Sequence, residues 1–244
     1  AGKQVRDATR LLHELGAINN RQHLTRIGRD LARFPADPSI ARMILAAGTR
    51  PETLRDVLII AAFLGIQDIR ERPFDQRQQA DQQHQTFVDK RSDFLTVLNL
   101  WDWLQAHKKS LSNNRLRKIC REYFLSYVRF LEWQDVHTQL KSVAIDLHLS
   151  FRHGETDYDA LHQALLSGLL TQVAMLDQQK HGGYQGVRNS HCQIFPGSAL
   201  SGRSPRWIMA AERLETSQAF ARMVAEIKPE WVEKQVAHLS RHHY

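Results

Sequence analysis

In 244 residues there are only two cysteines, Cys120 and Cys192, and neither belongs to a CxxC pair. That usage excludes a disulfide framework and fits two reduced, packed thiols in a cytoplasmic protein. No apolar run approaches the roughly 20 residues that a membrane span requires, so no membrane partner is expected. The opening AGKQVRDATR has neither an initiating Met nor the apolar core of a secretory signal, which suggests a processed chain or an excised segment. Phosphate-handling motifs are missing as well. No GxxxxGK[ST] loop and no DExx box occur, so the chain alone should not hydrolyse ATP. No HExxH pair and no GxSxG elbow occur either. The nearest approach to a metal cluster, His238 with His242 and His243, reads equally as an exposed tail. No catalytic residue, metal or cofactor is therefore expected in this chain.

What is present points to binding. The apolar fraction of 42% and charged fraction of 24% are those of a globular protein with one large core or two to three small ones. Net charge is +7, and the excess lies at the ends. Residues 1–38 hold 7 Lys or Arg against 4 acids, residues 39–170 hold 17 against 16, and residues 171–244 hold 9 against 6. A basic surface concentrates polyanions and releases their counterions, so nucleic acid is a reasonable partner. Oligomeric state is unreadable, with monomer the default.

Periodicity divides the chain in three. Residues 3–15 place Val5, Ala8, Leu11, Leu12 and Leu15 on one helical face, stopped by Gly16. Asn19 and Asn20 then form a turn between Ile18 and Leu24, as in the wing of a winged helix that needs more helix upstream. In LTRIGRDLARFPADPSIARMIL, residues 24–45, Thr25 caps a helix that Pro35 ends, and Asp37 before Pro38 caps the next. From Pro38 to about Leu170 the pattern is helical. LRDVLIIAAFLGI is apolar nearly all round and marks a hub helix, the glutamine-rich stretch between Phe74 and Phe87 reads as a solvated helix, and Ser92 with Asp93 caps another. The tryptophans of that helix read as packing residues. LSNNR at 111–115 reads as a loop, and FRHGETDYD as a break before a helix over 158–170. After Leu170 the period drops to two. TQVAML, a turn through His181, Gly182 and Gly183, then YQGVRN, CQIF, RWIMAAERL and FARMVAEI read as five short strands, followed by a helix opened by Pro229. The expected fold is mainly α with a small C-terminal β-barrel: a partial winged helix over 1–36, a helical bundle over 37–170 and a barrel over 171–244.

Ordered blocks of this chain resemble the region after the motor in DEAH-box RNA helicases. LLHELGAI with residues 24–45 resembles the end of the winged-helix domain and the start of the ratchet domain. SDFLTVLNLWDWL at 92–104 resembles the helicase-associated segment, and LRKICREYFLSYVRFLEWQDVHTQL at 116–140 resembles the bacterial HrpA type in particular. YQGVRNSHCQIFPGSAL, PRWIMAAERLETSQ and IKPEWVEKQV resemble the oligonucleotide-binding (OB) fold that closes the helicase core.

The resemblance implies an accessory region that grips single-stranded RNA while motor domains of the same polypeptide, using ATP and Mg2+, drive translocation and unwinding. It also implies a protein activator at the barrel, of the glycine-rich-patch kind, as a candidate partner. The positions it suggests as RNA contacts are Arg121, Ser126 and Arg129 on the ratchet side and Arg188, Ser198, Thr216 and Ser217 on the barrel. Each has a plain structural alternative in capping, ion pairing or turn formation. FPGS at 195–198 departs from the His-Pro-Ser-Ser or His-Pro-Ser-Thr of eukaryotic relatives, which leaves the contact at that turn open. Two other readings remain: a winged-helix DNA-binding regulator, which would prefer duplex DNA, and a protein-docking platform.

Overall fold

A computed structural model describes residues 2–178, 183–215 and 218–241, without the side chains of Arg188 and residues 238–241. The expected turn at His181 and Gly182, the sites Thr216 and Ser217, and the side chains of the terminal histidine cluster lie outside the described residues.

Helix α1 (Gly2–Glu14) ends where Gly16 takes φ 72°, a conformation that favours glycine. Ile18 and Leu24 pair as an antiparallel bridge, and the Asn19 side chain accepts from the amides of Arg21 and His23 inside the turn. Helix α2 (Arg26–Leu31) is capped by Thr25, whose hydroxyl accepts from Gly28 N at 3.0 Å and donates to Gly16 O at 2.6 Å. Helix α3 (Pro38–Ala47) starts at Pro38 as expected, but the Asp37 side chain makes no capping bond. Proline at the first position already removes one orphan amide, so this start forms without the carboxylate. Helix α4 (Pro51–Leu64) is the hub, buried continuously from Asp56 to Phe63.

Helix α5 (Arg77–His84) lies between two 3-10 turns and buries only Ala80 and His84. Helix α6 (Asp93–Ser110) is capped by Ser92, and its Trp101 packs edge-on against Trp133 at 4.8 Å, as a core residue. The expected loop at 111–115 is shorter than its composition suggests, because helix α7 (Asn113–Glu122) already begins at Asn113. Burial of Leu116 and Cys120 on one face outweighs the weak helix preference of the two asparagines. Helix α8 (Tyr127–Asp146) is capped by Ser126, and helix α9 (Tyr158–Leu169) by Asp157.

Strands β1 (Val173–Leu176), β2 (Gly183–Gly186), β3 (His191–Ile194), β4 (Trp207–Glu215) and β5 (Ala219–Glu226) close a barrel in the order β1-β2-β3-β5-β4. All pairs are antiparallel except β3 with β5, and helix α10 (Pro229–Arg241) follows. The barrel encloses its own small core, including Tyr184, Cys192, Ile208 and Val224. Val173, Met209 and Ala225 of the barrel, with Trp231 of the following helix, belong to the core of the helical bundle. Bundle and barrel are thus fused by apolar burial, which is the main stabilising force at such a seam.

The seam also has a polar register. Beyond Ala221, β5 loses its β3 neighbour, and the residues just before α6 take that place. Ser92 bridges Ala225, and Glu226 N donates to Arg91 O at 3.0 Å. Asp93 finishes the edge by accepting Val224 N at 2.8 Å. An open strand edge inside the protein would leave amides unsatisfied, and this segment satisfies them.

Candidate nucleic-acid interface

Two adjoining concavities, of about 710 and 400 Å³, run between bundle and barrel and share Asp68, Arg70, Arg222 and Met223. The bundle side is built by the extended segment after α4. Buried Ile69 anchors it, Ser126 N donates to Ile69 O at 2.8 Å, Arg70 bridges Leu125, and Glu71 N donates to Phe124 O at 2.8 Å. These bonds stitch residues 69–71 to the turn between α7 and α8 and set Arg70 and Arg72 along the cleft wall. The barrel side is the turn after β3, with Phe195 to Ser198, and the outward residues of β5.

Each arginine in the cleft is held by an oxygen partner. Arg70 forks onto Asp68, with Nε to Oδ1 at 3.0 Å and Nη2 to Oδ2 at 2.6 Å. Arg72 meets Asp81 at 2.7 Å, Arg129 donates to Asp68 O at 3.0 Å and stands 3.8 Å from Glu71, and Arg222 pairs with Glu212 at 3.2 Å. Burial alone would raise the Asp68 carboxyl, but the adjacent Arg70 charge and hydrogen bonds outweigh it and hold the group below its ordinary value. The side chains stay 22% (Arg70), 45% (Arg72), 27% (Arg129) and 33% (Arg222) exposed, so they remain accessible from the cleft. Arg222 also lies 5.4 Å from the Phe195 ring, which meets Phe220 edge-on. Guanidinium forks match phosphate oxygens, and a half-exposed aromatic offers a face to a base.

Met223, at the floor of the cleft, has φ 53° inside a strand, a conformation that costs an ordinary residue about 1 kcal/mol or more. It immediately precedes Val224, whose amide is tied to Asp93 across the seam.

Two of the residues suggested by sequence, Arg129 and Ser198, line this cleft. Ser198 donates its hydroxyl to Asp93 Oδ2 at 2.6 Å and accepts from Leu200 N at 3.2 Å. Ser126 caps α8 beside the cleft, accepting from Arg129 N at 3.4 Å. Arg121 lies on the exposed face of α7, outside the cleft lining. Arg188 sits in the 3-10 turn between β2 and β3, and its side chain lies outside the described set. Sequence reasoning missed Arg70, Arg72, Arg222, Phe195 and Asp93. The run RERP at 70–73 was a usable signal, because two arginines flank an acid in an extended stretch before proline.

Barrel topology and cleft define an OB-fold module fused to a helical bundle, and comparison with known proteins narrows the class. The helicase-associated domain (HA2), winged-helix, family model matches residues 8–36, and the HA2 ratchet-like model matches 37–97. The oligonucleotide/oligosaccharide-binding fold model matches 161–239. Over 99% of its length the chain is 43% identical to the ATP-dependent RNA helicase HrpA of Escherichia coli, and equally to the HrpA homolog of Haemophilus influenzae. It is 30% identical, over 92% of its length, to the human probable ATP-dependent RNA helicase DHX35. The chain spans 19% of each bacterial relative and 31% of the human one. It belongs to the DEAH-box RNA helicase family, as the C-terminal helicase-associated and OB-fold region.

Proposed function

We propose that this chain is the accessory region with which an ATP-dependent RNA helicase grips single-stranded RNA, the strand lying in the cleft between bundle and barrel. Four arginines and one aromatic ring converge there from four separate segments, and that convergence carries the reading. Arg70, Arg72, Arg129 and Arg222 hold phosphates, Phe195 stacks on a base, and Ser198 keeps the turn in shape through Asp93. None of these contacts distinguishes one base from another, as stepping along RNA requires. ATP and Mg2+ act in motor domains of the same polypeptide, whose stroke moves the strand past this surface.

The test is binding of a fluorescent single-stranded RNA of about ten nucleotides against duplex DNA over a salt titration, where steepness reports phosphate contacts. Single-strand preference with a steep slope supports the reading. Duplex preference would favour a winged-helix regulator, and absence of binding to both would favour a docking surface for protein partners.

A further inference from the structure

Outside the cleft, the corner between α6 and α7 gathers six exposed cations: Lys108, Lys109, Arg115, Arg117, Lys118 and Arg121. Among the described residues they make one ion pair, Lys118 with Glu122 at 4.0 Å. Lys108 donates to the neutral amide of Gln134, and Arg117 lies over the Tyr127 ring at 5.0 Å. Lys108 and Lys109 have a local reason to be there, since cations at the end of α6 complement its dipole. Arg121, in the last turn of α7, has the same reason, whereas Arg115, Arg117 and Lys118 do not. Arg117 and Arg121 are four residues apart and Lys118 and Arg121 three apart on the solvent face, where like charges repel. Arg115 lies in the first turn of α7, the electropositive end, where no acidic residue offsets it. Arg115 and the like-charge spacings of Arg117, Lys118 and Arg121 therefore weigh against the stability of α7.

The ridge is continuous with the cleft. Arg121 ends the helix whose following turn, through Phe124 and Leu125, is bonded to the segment carrying Arg70 and Arg72. It differs from the cleft in chemistry, however. Its aromatic neighbours are occupied: Tyr127 by Arg117, and Tyr123 by Trp103 at 4.7 Å and Phe87. Among the described residues its cations also have one carboxylate partner in all, whereas each cleft arginine is held by an oxygen partner. An exposed cationic ridge suits a nucleic acid whose bases are already stacked inside and whose phosphates line the outside.

We infer that the α6–α7 corner is a second RNA surface that holds the phosphodiester backbone of a duplex or stem adjoining the single strand in the cleft. This rests on the cleft reading for the position of the single strand. The ridge receives the structured part of the substrate and the cleft the unpaired part.

The experiment uses the whole 244-residue chain with two RNAs: a single strand of about ten nucleotides, and the same strand continued into a stem. The stem-bearing RNA should bind more tightly. Lys118→Glu with Arg121→Glu should weaken it by about tenfold or more, flatten its salt dependence, and change single-strand affinity less than about twofold. Lys118→Gln with Arg121→Gln should show the same selectivity with a smaller loss, should charge reversal disturb the fold. Equal losses on both RNAs, or no loss on either, would overturn the ridge as a separate surface. Arg72→Glu with Arg222→Glu separates the two readings. If it leaves both RNAs unaffected while the ridge variant weakens only the stem-bearing one, the cleft assignment fails and the ridge stands.

Discussion

The Ser198 hydroxyl donates to the Asp93 carboxylate across the seam at 2.6 Å, so the turn after β3 is fastened to the first residue of α6. The same carboxylate accepts Ala199 N at 3.0 Å and Val224 N at 2.8 Å. One buried side chain thereby fixes a barrel turn, a barrel strand and a bundle helix in a single arrangement, and the cleft walls depend on it.

Asp93→Asn leaves donors facing an amide that can no longer accept on both sides, and should lower unfolding stability by about 2–3 kcal/mol. Ser198→Ala removes only one of the three bonds and should cost about 1 kcal/mol. Urea denaturation of both variants checks the order, and a larger loss for Ser198→Ala would contradict the role given to Asp93.

Gly168 of α9 lies so close to α3 that a Cβ there would stand 2.2 Å from Ser39 O and 2.8 Å from Met43 Cγ. Gly168→Ala should therefore cost about 1–3 kcal/mol, because the two helices must separate. Gly65→Ala is the control, since its Cβ would meet nothing nearer than 3.5 Å, and it should be near neutral. Thermal melts of the pair distinguish close packing from a general intolerance of alanine.

Burial depresses His162 to about 4, even though its ring hydrogen-bonds Tyr158 O at 2.6 Å. That carbonyl can only accept, so Nδ1 carries the proton and Nε2 accepts from the Ser92 hydroxyl at 2.7 Å. Burial also lowers His137 to about 4, with the Lys141 and Arg55 charges adding to the effect. A depressed folded-state value means that the unfolded chain binds more protons between about pH 4 and 6.5. Stability should be full above about pH 6.5 and fall as the pH drops toward 4, by up to about 3 kcal/mol per histidine. His162→Gln should flatten part of that slope in urea titrations at a series of pH values, and an unchanged slope would show that His162 does not contribute.

Local signals in the sequence carried most of the architecture. Thr25 before an apolar period, proline at the start of α3 and α4, and the change from period four to period two after Leu170 all mark real boundaries. Helix α7 was partly hidden, because two asparagines look like a loop until Leu116 and Cys120 are seen to be buried. The cleft was less legible. Asp93 reads as an ordinary helix-start residue, and its partners lie 105 to 131 positions away, where periodicity carries no information. Arg70, Arg72 and Arg222 become neighbours only when barrel and bundle dock, so their grouping is a tertiary fact.

The most direct test of the cleft as the RNA path is the salt dependence of single-stranded RNA affinity for the chain and for Arg72→Glu with Arg222→Glu. Neither side chain is fully buried, so the doubly substituted chain should remain folded. The doubly substituted chain should bind at least about tenfold more weakly and with a shallower dependence on log salt, as an RNA path that contacts both side chains requires. Unchanged affinity and an unchanged slope in a folded variant would contradict it.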